Sequence, residues 1–209
     1  MKKILPYLIV ILISSCTNRE TATELWPSGT LKSQGELLDG NKEGRWVFFH
    51  KSSPDTSYIE YYKSGKPYQI DRYEYISNWP NQGDSPETTI LTERATVTSD
   101  NIKNGPYILY HPSGFEECKG TYAEGRQNGV ETCVYETGET STVTTFADDE
   151  VGEFKQYWPN GNLLLTAETR GNGIHYAYDS TGTLTYKLFV DLTKMKVDTV
   201  ETYTPDNKR

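Results

Sequence analysis

The chain has 209 residues and a formal net charge of −8, with 21 Lys and Arg against 29 Asp and Glu. A negative surface repels phosphate groups, which argues against nucleic-acid binding and against flat adsorption to anionic lipid. The 16 tyrosines, 17 glycines and 12% aromatic content are typical of short strands joined by tight turns rather than of helices.

Residues 1–15 have the pattern of an export signal. Lys2 and Lys3 precede an apolar run over residues 4–13, about half the length of a membrane-spanning helix. The run ends in Ile13-Ser14-Ser15-Cys16, which resembles the lipobox of bacterial lipoproteins. The resemblance implies a diacylglycerol on the Cys16 thiol, cleavage before Cys16 and acylation of the new amine, so that lipid holds the protein at the membrane. The alternative is an ordinary secretory signal whose cysteine is incidental.

Residues 16–24 are polar and show no apolar pattern, which predicts a lipidated tether between membrane and domain. Thr17 follows the cysteine where an aspartate would argue for retention in the inner membrane. We therefore expect a protein of the cell envelope that is anchored in the outer membrane.

From residue 25 onward a turn phrase recurs six times, and each copy ends in a glycine after a short polar or proline-containing stretch. The copies are Leu25-Trp26-Pro27-Ser28-Gly29, Tyr61-Tyr62-Lys63-Ser64-Gly65, Tyr110-His111-Pro112-Ser113-Gly114, Val134-Tyr135-Glu136-Thr137-Gly138, Tyr157-Trp158-Pro159-Asn160-Gly161 and Tyr178-Asp179-Ser180-Thr181-Gly182. Proline presets the first central residue of a β-turn, and glycine accepts the positive φ that other residues resist. A second set of glycines falls between these turns, so each unit holds two strands and two turns.

The repeats predict an all-β fold, an antiparallel meander of β-hairpins that forms an extended, twisted, single-layer sheet. We assign repeats to residues 25–75 and 104–190. Residues 76–103 carry Trp79-Pro80-Asn81 and read as an insertion or a degenerate repeat. Residues 191–204 are predicted to form capping strands, and residues 205–209 a disordered tail.

The best unit, Gly152 to Leu163, resembles the bacterial variant of the MORN repeat. It has an aromatic residue in the second position after Gly152, a Tyr157-Trp158 pair, then Asn160-Gly161 and a leucine two residues later. The Val134 unit departs from this pattern, with Glu131 in the aromatic slot. The resemblance, which includes the YwqK-like antitoxin components, implies an extended β scaffold that binds something, with an antitoxin role as one reading. It brings no catalytic residues.

Cys118 and Cys133 lie on the two arms of one predicted hairpin, around the turn at residues 124–127. A symmetric hairpin places them almost opposite each other, and disulfides persist in exported proteins. A disulfide is one interpretation and two half-buried thiols are the other, because a register slip of one residue prevents the bond.

Trp26 and Trp158 share one slot beside the turn, so the pattern predicts that they line up along one edge of the sheet. Exposed aromatic residues bind sugars or protein partners. The alternative is that both rings pack on the turn prolines.

The remaining polar residues indicate no metal, no cofactor and no catalytic set. His50 and His111 occupy equivalent slots a repeat or more apart, and the Asp148-Asp149-Glu150 run lacks calcium-loop spacing. We therefore expect a non-enzymatic, lipid-anchored scaffold that binds a protein partner at the envelope. The alternatives are an antitoxin or immunity protein that neutralises a cognate toxin, and a cell-wall or glycan-binding lipoprotein.

Overall fold

The structure is a computed structural model that describes residues 18–76, 88–169 and 171–203. The described residues form strands and turns, without a helix. The strands are β1 (Arg19–Leu25), β2 (Leu31–Leu38), β3 (Asn41–Phe49), β4 (Thr56–Lys63), β5 (Lys66–Ile76), β6 (Thr88–Val97), β7 (Lys103–Tyr110), β8 (Glu116–Ala123), β9 (Arg126–Gln127), β10 (Gly129–Val134), β11 (Thr140–Ala147), β12 (Glu150–Tyr157), β13 (Leu163–Ala167), β14 (Gly173–Tyr178), β15 (Leu184–Asp191) and β16 (Lys196–Thr202).

All strands belong to one open antiparallel sheet in which each strand pairs with its neighbours in sequence. The order runs from β1 to β16 without a crossover, and only the two-residue β9 lies off this path, paired with β8. The predicted all-β meander is therefore confirmed. Successive hairpin turns alternate between the two ends of the sheet, so each end collects every second turn.

Five turns at one end share one geometry, and they begin at Trp26, His111, Tyr135, Trp158 and Asp179. In each turn the amide of the first residue donates to the carbonyl of the fifth, and the amide of the glycine in the fourth position donates to the carbonyl of the first, at 2.7–3.0 Å. Each glycine has φ between 85° and 97°, which glycine adopts without strain. The turn phrase forms the predicted turn at these five sites.

The copy at Tyr61–Gly65 lies at the opposite end of the sheet and is a different turn. Tyr62 pairs with Pro67 and Lys63 with Lys66, which leaves a two-residue turn of Ser64 and Gly65. Their φ values of 51° and 76° match the hairpin turn whose twist suits the flanking strands. The sequence of this copy resembles the other five, but the copy forms a different turn at the other end of the sheet.

Most of the core lies along one face of the sheet, as a line of buried residues that are register partners from strand to strand. The first run is Trp46, Glu60, Ile70, Ala95, Tyr107 and Gly120, and the second is Glu131, Thr144, Phe154, Ala167 and His175. Large rings alternate with small residues along these runs. A Cβ at Gly120 would lie within 2.7 Å of the Tyr107 ring, and one at Gly35 would overlap the ring of Trp46. A single-layer sheet thus buries its aromatic rings by laying them over glycine.

The prediction of a polar tether over residues 16–24 is wrong for most of its length. β1 begins at Arg19 and pairs with β2 along its whole length, from Arg19 opposite Leu38 to Leu25 opposite Leu31, with a register shift between Glu24 and Leu25. Its side chains stay largely exposed on both faces, and the Arg19–Glu36 ion pair at 2.6 Å joins it to its neighbour. An edge strand of this kind is held by backbone hydrogen bonds, so it needs no apolar alternation.

Several predictions lie outside the described residues. They are the signal over residues 1–15, lipidation at Cys16, the tail over residues 205–209 and the middle of the segment 76–103. The rest of that segment belongs to the sheet, since residues 88–97 form β6 between β5 and β7. Across the ranges that the structure describes, no helix is long and apolar enough to cross a membrane.

Candidate functional site

Trp26 and Trp158 lie at the same end of the sheet but do not form one site. The β1–β2 and β12–β13 turns that carry them are separated by ten strand-to-strand steps, roughly 48 Å along a flat sheet. The Trp158 indole N–H donates to the carbonyl of Tyr178 at 3.3 Å, just before the next turn at that end. Tyr135 makes the equivalent bond to the carbonyl of Tyr157 at 2.6 Å. Trp158 therefore joins neighbouring turns.

Trp26 departs from this arrangement and borders a cleft between the β1–β2 and β3–β4 turns. We call this cleft the N-terminal aromatic cleft, and its volume is about 290 Å³. Its aromatic lining is formed by Trp26, Phe48, Phe49, His50 and Tyr58. Its polar lining is formed by Lys32, Lys51 and Ser57. Nothing in the sequence pattern placed these side chains together, except that Trp26 and His50 both open turns at this end.

The rings of the cleft are ordered by strand register. Phe48 and Tyr58 are direct partners on β3 and β4, and their rings stack at a centroid distance of 4.4 Å and an angle of 9°. Burial raises the pKa of Tyr58, so its hydroxyl stays protonated at neutral pH. The stacked pair gives the cleft a fixed, flat, apolar wall.

The two lysines of the cleft differ in their pairing. Lys32 forms an ion pair with Glu24 at 2.9 Å, and this hydrogen bond lowers the pKa of the Glu24 carboxyl. The same Lys32 Nζ lies 5.8 Å from the centre of the Trp26 ring. Lys51 is exposed and has no ion-pair partner among the described residues. The cleft therefore carries one positive charge that none of the described residues neutralises.

Two ring nitrogens of the cleft residues are buried without a hydrogen-bond partner in the described part of the chain, Trp26 Nε1 and His50 Nε2. An unsatisfied buried donor or acceptor costs about 1–3 kcal/mol. Such groups are rare in native proteins, and each one needs an explanation such as a bound water or ion. This pair of nitrogens marks the cleft as the strongest binding-site candidate.

The core face holds three buried glutamates, but their bonding is complete. Glu60 accepts from Tyr62 and Asn101, both at 2.5 Å, and Glu131 accepts from Tyr107 at 2.5 Å. Glu93 Oε1 receives Lys103 Nζ at 2.5 Å and the Tyr122 hydroxyl at 3.3 Å. Because each carboxylate already has its donors, these residues hold the sheet together rather than offer a free acid or base.

The tyrosines that face these glutamates are expected to ionise late in an alkaline titration. Burial, together with Glu93, raises the pKa of Tyr122 to about 12, and burial also raises the pKa of Tyr62 and Tyr107. The folded pKa lies above the unfolded value of about 10. This stabilising contribution is therefore complete below about pH 10 and is lost as the pH rises towards about 12. Tyrosinate absorbance and the denaturant midpoint would be measured against pH.

The replacement Glu93→Gln removes one negative charge and should bring the ionisation of Tyr122 to lower pH. A single ionisation step for all tyrosines at the unfolded value would contradict the expected late class.

On the opposite face Asp71 is fully buried and accepts four hydrogen bonds. Arg94 donates to it from Nε at 2.9 Å and from Nη2 at 2.7 Å. Gln69 and Tyr61 donate at 2.9 and 3.3 Å. The hydrogen bonds to Asp71 raise the pKa of Arg94, which stays charged. This cluster joins β4, β5 and β6 and is also structural.

Cys118 and Cys133 are register partners on β8 and β10, and a disulfide joins them across a sequence separation of 15. They are also part of one group with metal-ligand spacing in the described chain, since their sulfurs and a Glu131 carboxylate oxygen lie within 4.8 Å of one another. Metals bind the thiolate form of cysteine, so the bonded sulfurs offer no such ligands.

Removing the disulfide with Cys118→Ser and Cys133→Ser together is expected to lower the free energy of unfolding by about 3 kcal/mol, the value for a closed loop of this length. The cross-link lowers the entropy of the unfolded chain, and only β8 and β10 are linked in this way in the described residues. The measurement is the urea midpoint of the variant compared with the parent protein, before and after reduction. An unchanged midpoint in both comparisons would show that the bond is absent or without effect.

Comparison with known proteins supports the repeat assignment for one unit. The model of the MORN repeat variant family matches residues 150–169, which contain β12, β13 and the turn between them. This span includes the Gly152–Leu163 unit and confirms its resemblance to the family. No curated protein matches the chain. The chain is thus an all-β repeat protein with a segment similar to a MORN repeat variant.

Among solved structures, a protein of unknown function from Bacteroides fragilis aligns over 91% of this chain and 94% of its own. The sequence identity is 9% and the TM-score is 0.14, which is too low to support any argument.

Proposed function

We propose that this protein is a non-enzymatic β-repeat scaffold, anchored by lipid on Cys16, that binds a protein partner at the bacterial cell envelope. The lipobox-like end of the signal supports the anchor. β1 begins at Arg19, so an acylated Cys16 would hold the first strand of the sheet close to the bilayer surface.

The observation that carries the proposal is the concentration of exposed apolar side chains at the edge of the sheet that β16 forms. Leu192 and Met195 lie on the β15–β16 turn with 55% and 89% exposure, and Val197 and Val200 on β16 have 61% and 49%. We call these four residues the C-terminal patch. Exposed apolar side chains that are concentrated on one part of a protein surface mark a site of protein contact.

The backbone of β16 adds a second feature to this patch. Among the described residues β16 pairs with β15 alone, so one row of its backbone groups has no strand beside it. An extended segment of a partner can add to such an edge through main-chain hydrogen bonds, while its side chains contact the apolar residues. The C-terminal patch and the free edge together favour a protein partner over a small ligand at this end.

The test is cross-linking of the tagged protein in living cells, followed by identification of the partner by mass spectrometry. The double variant Met195→Lys, Val197→Lys is expected to lose the partner, because two charges are placed in the contact. Val130→Lys is the matched control, since Val130 is 55% exposed on β10 in the middle of the sheet. A partner retained by the double variant would remove the C-terminal patch from the proposed site. A partner that is a toxin, released by the same variant, would identify the scaffold as an antitoxin.

A further inference from the structure

We propose that the N-terminal aromatic cleft binds one ring of an acidic saccharide, a sugar that carries a carboxylate. The proposal is independent of the protein-binding function, because the cleft lies among β1 to β4 and the C-terminal patch lies at the other edge of the sheet, on β16 and the turn before it. Its three supports are the shape of the aromatic wall, the excess of donors in the lining and the unpaired charge of Lys51.

The shape of the cleft fits a single sugar ring. A volume of about 290 Å³ lies at the lower limit of small-molecule sites and is too small for a folded peptide element. The ring of Tyr58, stacked on the buried ring of Phe48, forms a flat wall, and the indole of Trp26 forms another side. The C–H face of a pyranose packs on aromatic rings of this kind, which combine apolar area with a polar rim.

The polar atoms of the cleft lining are mainly donors. An indole nitrogen and a lysine ammonium donate and cannot accept, and a serine hydroxyl does both. Lys32 and Lys51 therefore call for a ligand that is rich in acceptors. Hydroxyl and carboxylate oxygens of a sugar acid meet that requirement, whereas an apolar or cationic ligand does not.

The position of Trp26 in the repeat strengthens this argument. The equivalent Trp158 donates its indole N–H to the backbone of the next turn, while the Trp26 indole N–H is buried with no partner within the described protein. His50, which opens that next turn, has an unpartnered ring nitrogen as well. Trp26 thus lacks the turn-to-turn bond that Tyr135 and Trp158 make.

The charge of the lining selects for one carboxylate. The chain as a whole is negative, with a formal charge of −8, so a cation in the cleft lining sets the cleft apart from the average surface. Lys32 is already held by Glu24 at 2.9 Å, and Lys51 has no such partner among the described residues. One free ammonium matches one carboxylate per bound ring, through a charge-assisted hydrogen bond.

The proposal is tested by ¹⁵N–¹H spectra of the tryptophan indoles in the full-length protein, which identify each indole separately. The probes are the methyl glycoside of glucuronic acid and, as its neutral counterpart, the methyl glycoside of glucose. The Trp26 signal, assigned by its absence in Trp26→Phe, should move with the glucuronide while the Trp158 signal stays in place. The glucoside should bind at least about tenfold more weakly, the factor for losing one charge-assisted hydrogen bond.

Two lysine variants separate the cleft from general surface charge. Lys51→Gln should weaken glucuronide binding about tenfold, and Lys66→Gln should leave it unchanged. Lys66 is a matched control because it is an exposed lysine on β5, at the opposite end of the sheet from the cleft, and has no ion pair among the described residues.

Three results would overturn the proposal. They are a Trp26 signal that does not move at millimolar glucuronide, equal binding of glucoside and glucuronide, and equal binding by the parent protein and Lys51→Gln. A short peptide ending in phenylalanine is the competing probe. If it moves the Trp26 signal and the glucuronide does not, the cleft binds a peptide end and the saccharide proposal is wrong.

Discussion

Replacing Asp71 with alanine is expected to lower the free energy of unfolding by about 1.5–3 kcal/mol, because the hydrogen bonds of a buried carboxylate are lost while the partly exposed Arg94 keeps contact with solvent. Asp71 has no exposed surface, and Arg94 donates two hydrogen bonds to it from the neighbouring strand. Gln69 and Tyr61 would lose their acceptor as well. Chemical denaturation followed by circular dichroism measures the change.

The Glu153→Ala variant is the control for Asp71→Ala. Glu153 pairs with Lys155 at 2.8 Å, but both side chains are substantially exposed. Exposed pairs contribute about 0–1 kcal/mol, so this variant should stay close to the parent protein. If Asp71→Ala and Glu153→Ala had equally small effects, the Asp71 cluster would not support the sheet in the way described.

Replacing Trp46 with alanine is expected to cost about 3–5 kcal/mol of folding free energy, as in other deletions of large buried rings. Trp46 is 2% exposed, lies over Gly35 and packs edge-on against Tyr62 at a centroid distance of 6.3 Å. Lys42 Nζ sits 4.2 Å from the ring centre, and the indole N–H donates to the carbonyl of Glu36 at 3.0 Å. All of these contacts are lost in Trp46→Ala, and the described residues include no second layer that could close over the gap.

Trp158→Ala provides the comparison for Trp46→Ala, since Trp158 is only half-buried and joins two turns at the rim. Trp158→Ala should lower the free energy of unfolding by clearly less than Trp46→Ala does. Thermal unfolding of the two variants in parallel gives the order, and a reversed order would contradict the placement of the core along the Trp46 face.

Much of the fold could be predicted because the turn phrase acts locally. A residue such as Gly29 or Gly161 determines its own turn through its φ value, and regular spacing of such turns leaves only hairpins between them. The polar sequence of β1 led to the wrong prediction of a tether for the opposite reason. Its strand state depends on backbone pairing with β2, which leaves no pattern in the side chains.

The departure at Glu131 shows what a single sequence cannot reveal. A glutamate in an aromatic slot looked like a weakened repeat. In the structure Glu131 is buried and accepts a hydrogen bond from the hydroxyl of Tyr107, which lies 24 positions earlier in the sequence. The cleft was missed for the same reason, because residues that are distant in the sequence come together to form it. Trp26 was identified as a candidate, but Lys51 and Tyr58 reach it only through the register of β3 and β4.

The connectivity of the sheet also decides how the molecule would respond to mechanical load. Because each strand pairs only with its neighbours in sequence, a pull between β1 and β16 acts across the backbone hydrogen bonds of one strand pair after another. Bonds loaded in this direction break a few at a time, as in a zipper, rather than all together. Between β8 and β10 the covalent bond of Cys118 and Cys133 would stop the separation. A protein held at its first strand and pulled at its last would therefore lengthen in steps, as an extensible link with a fixed midpoint.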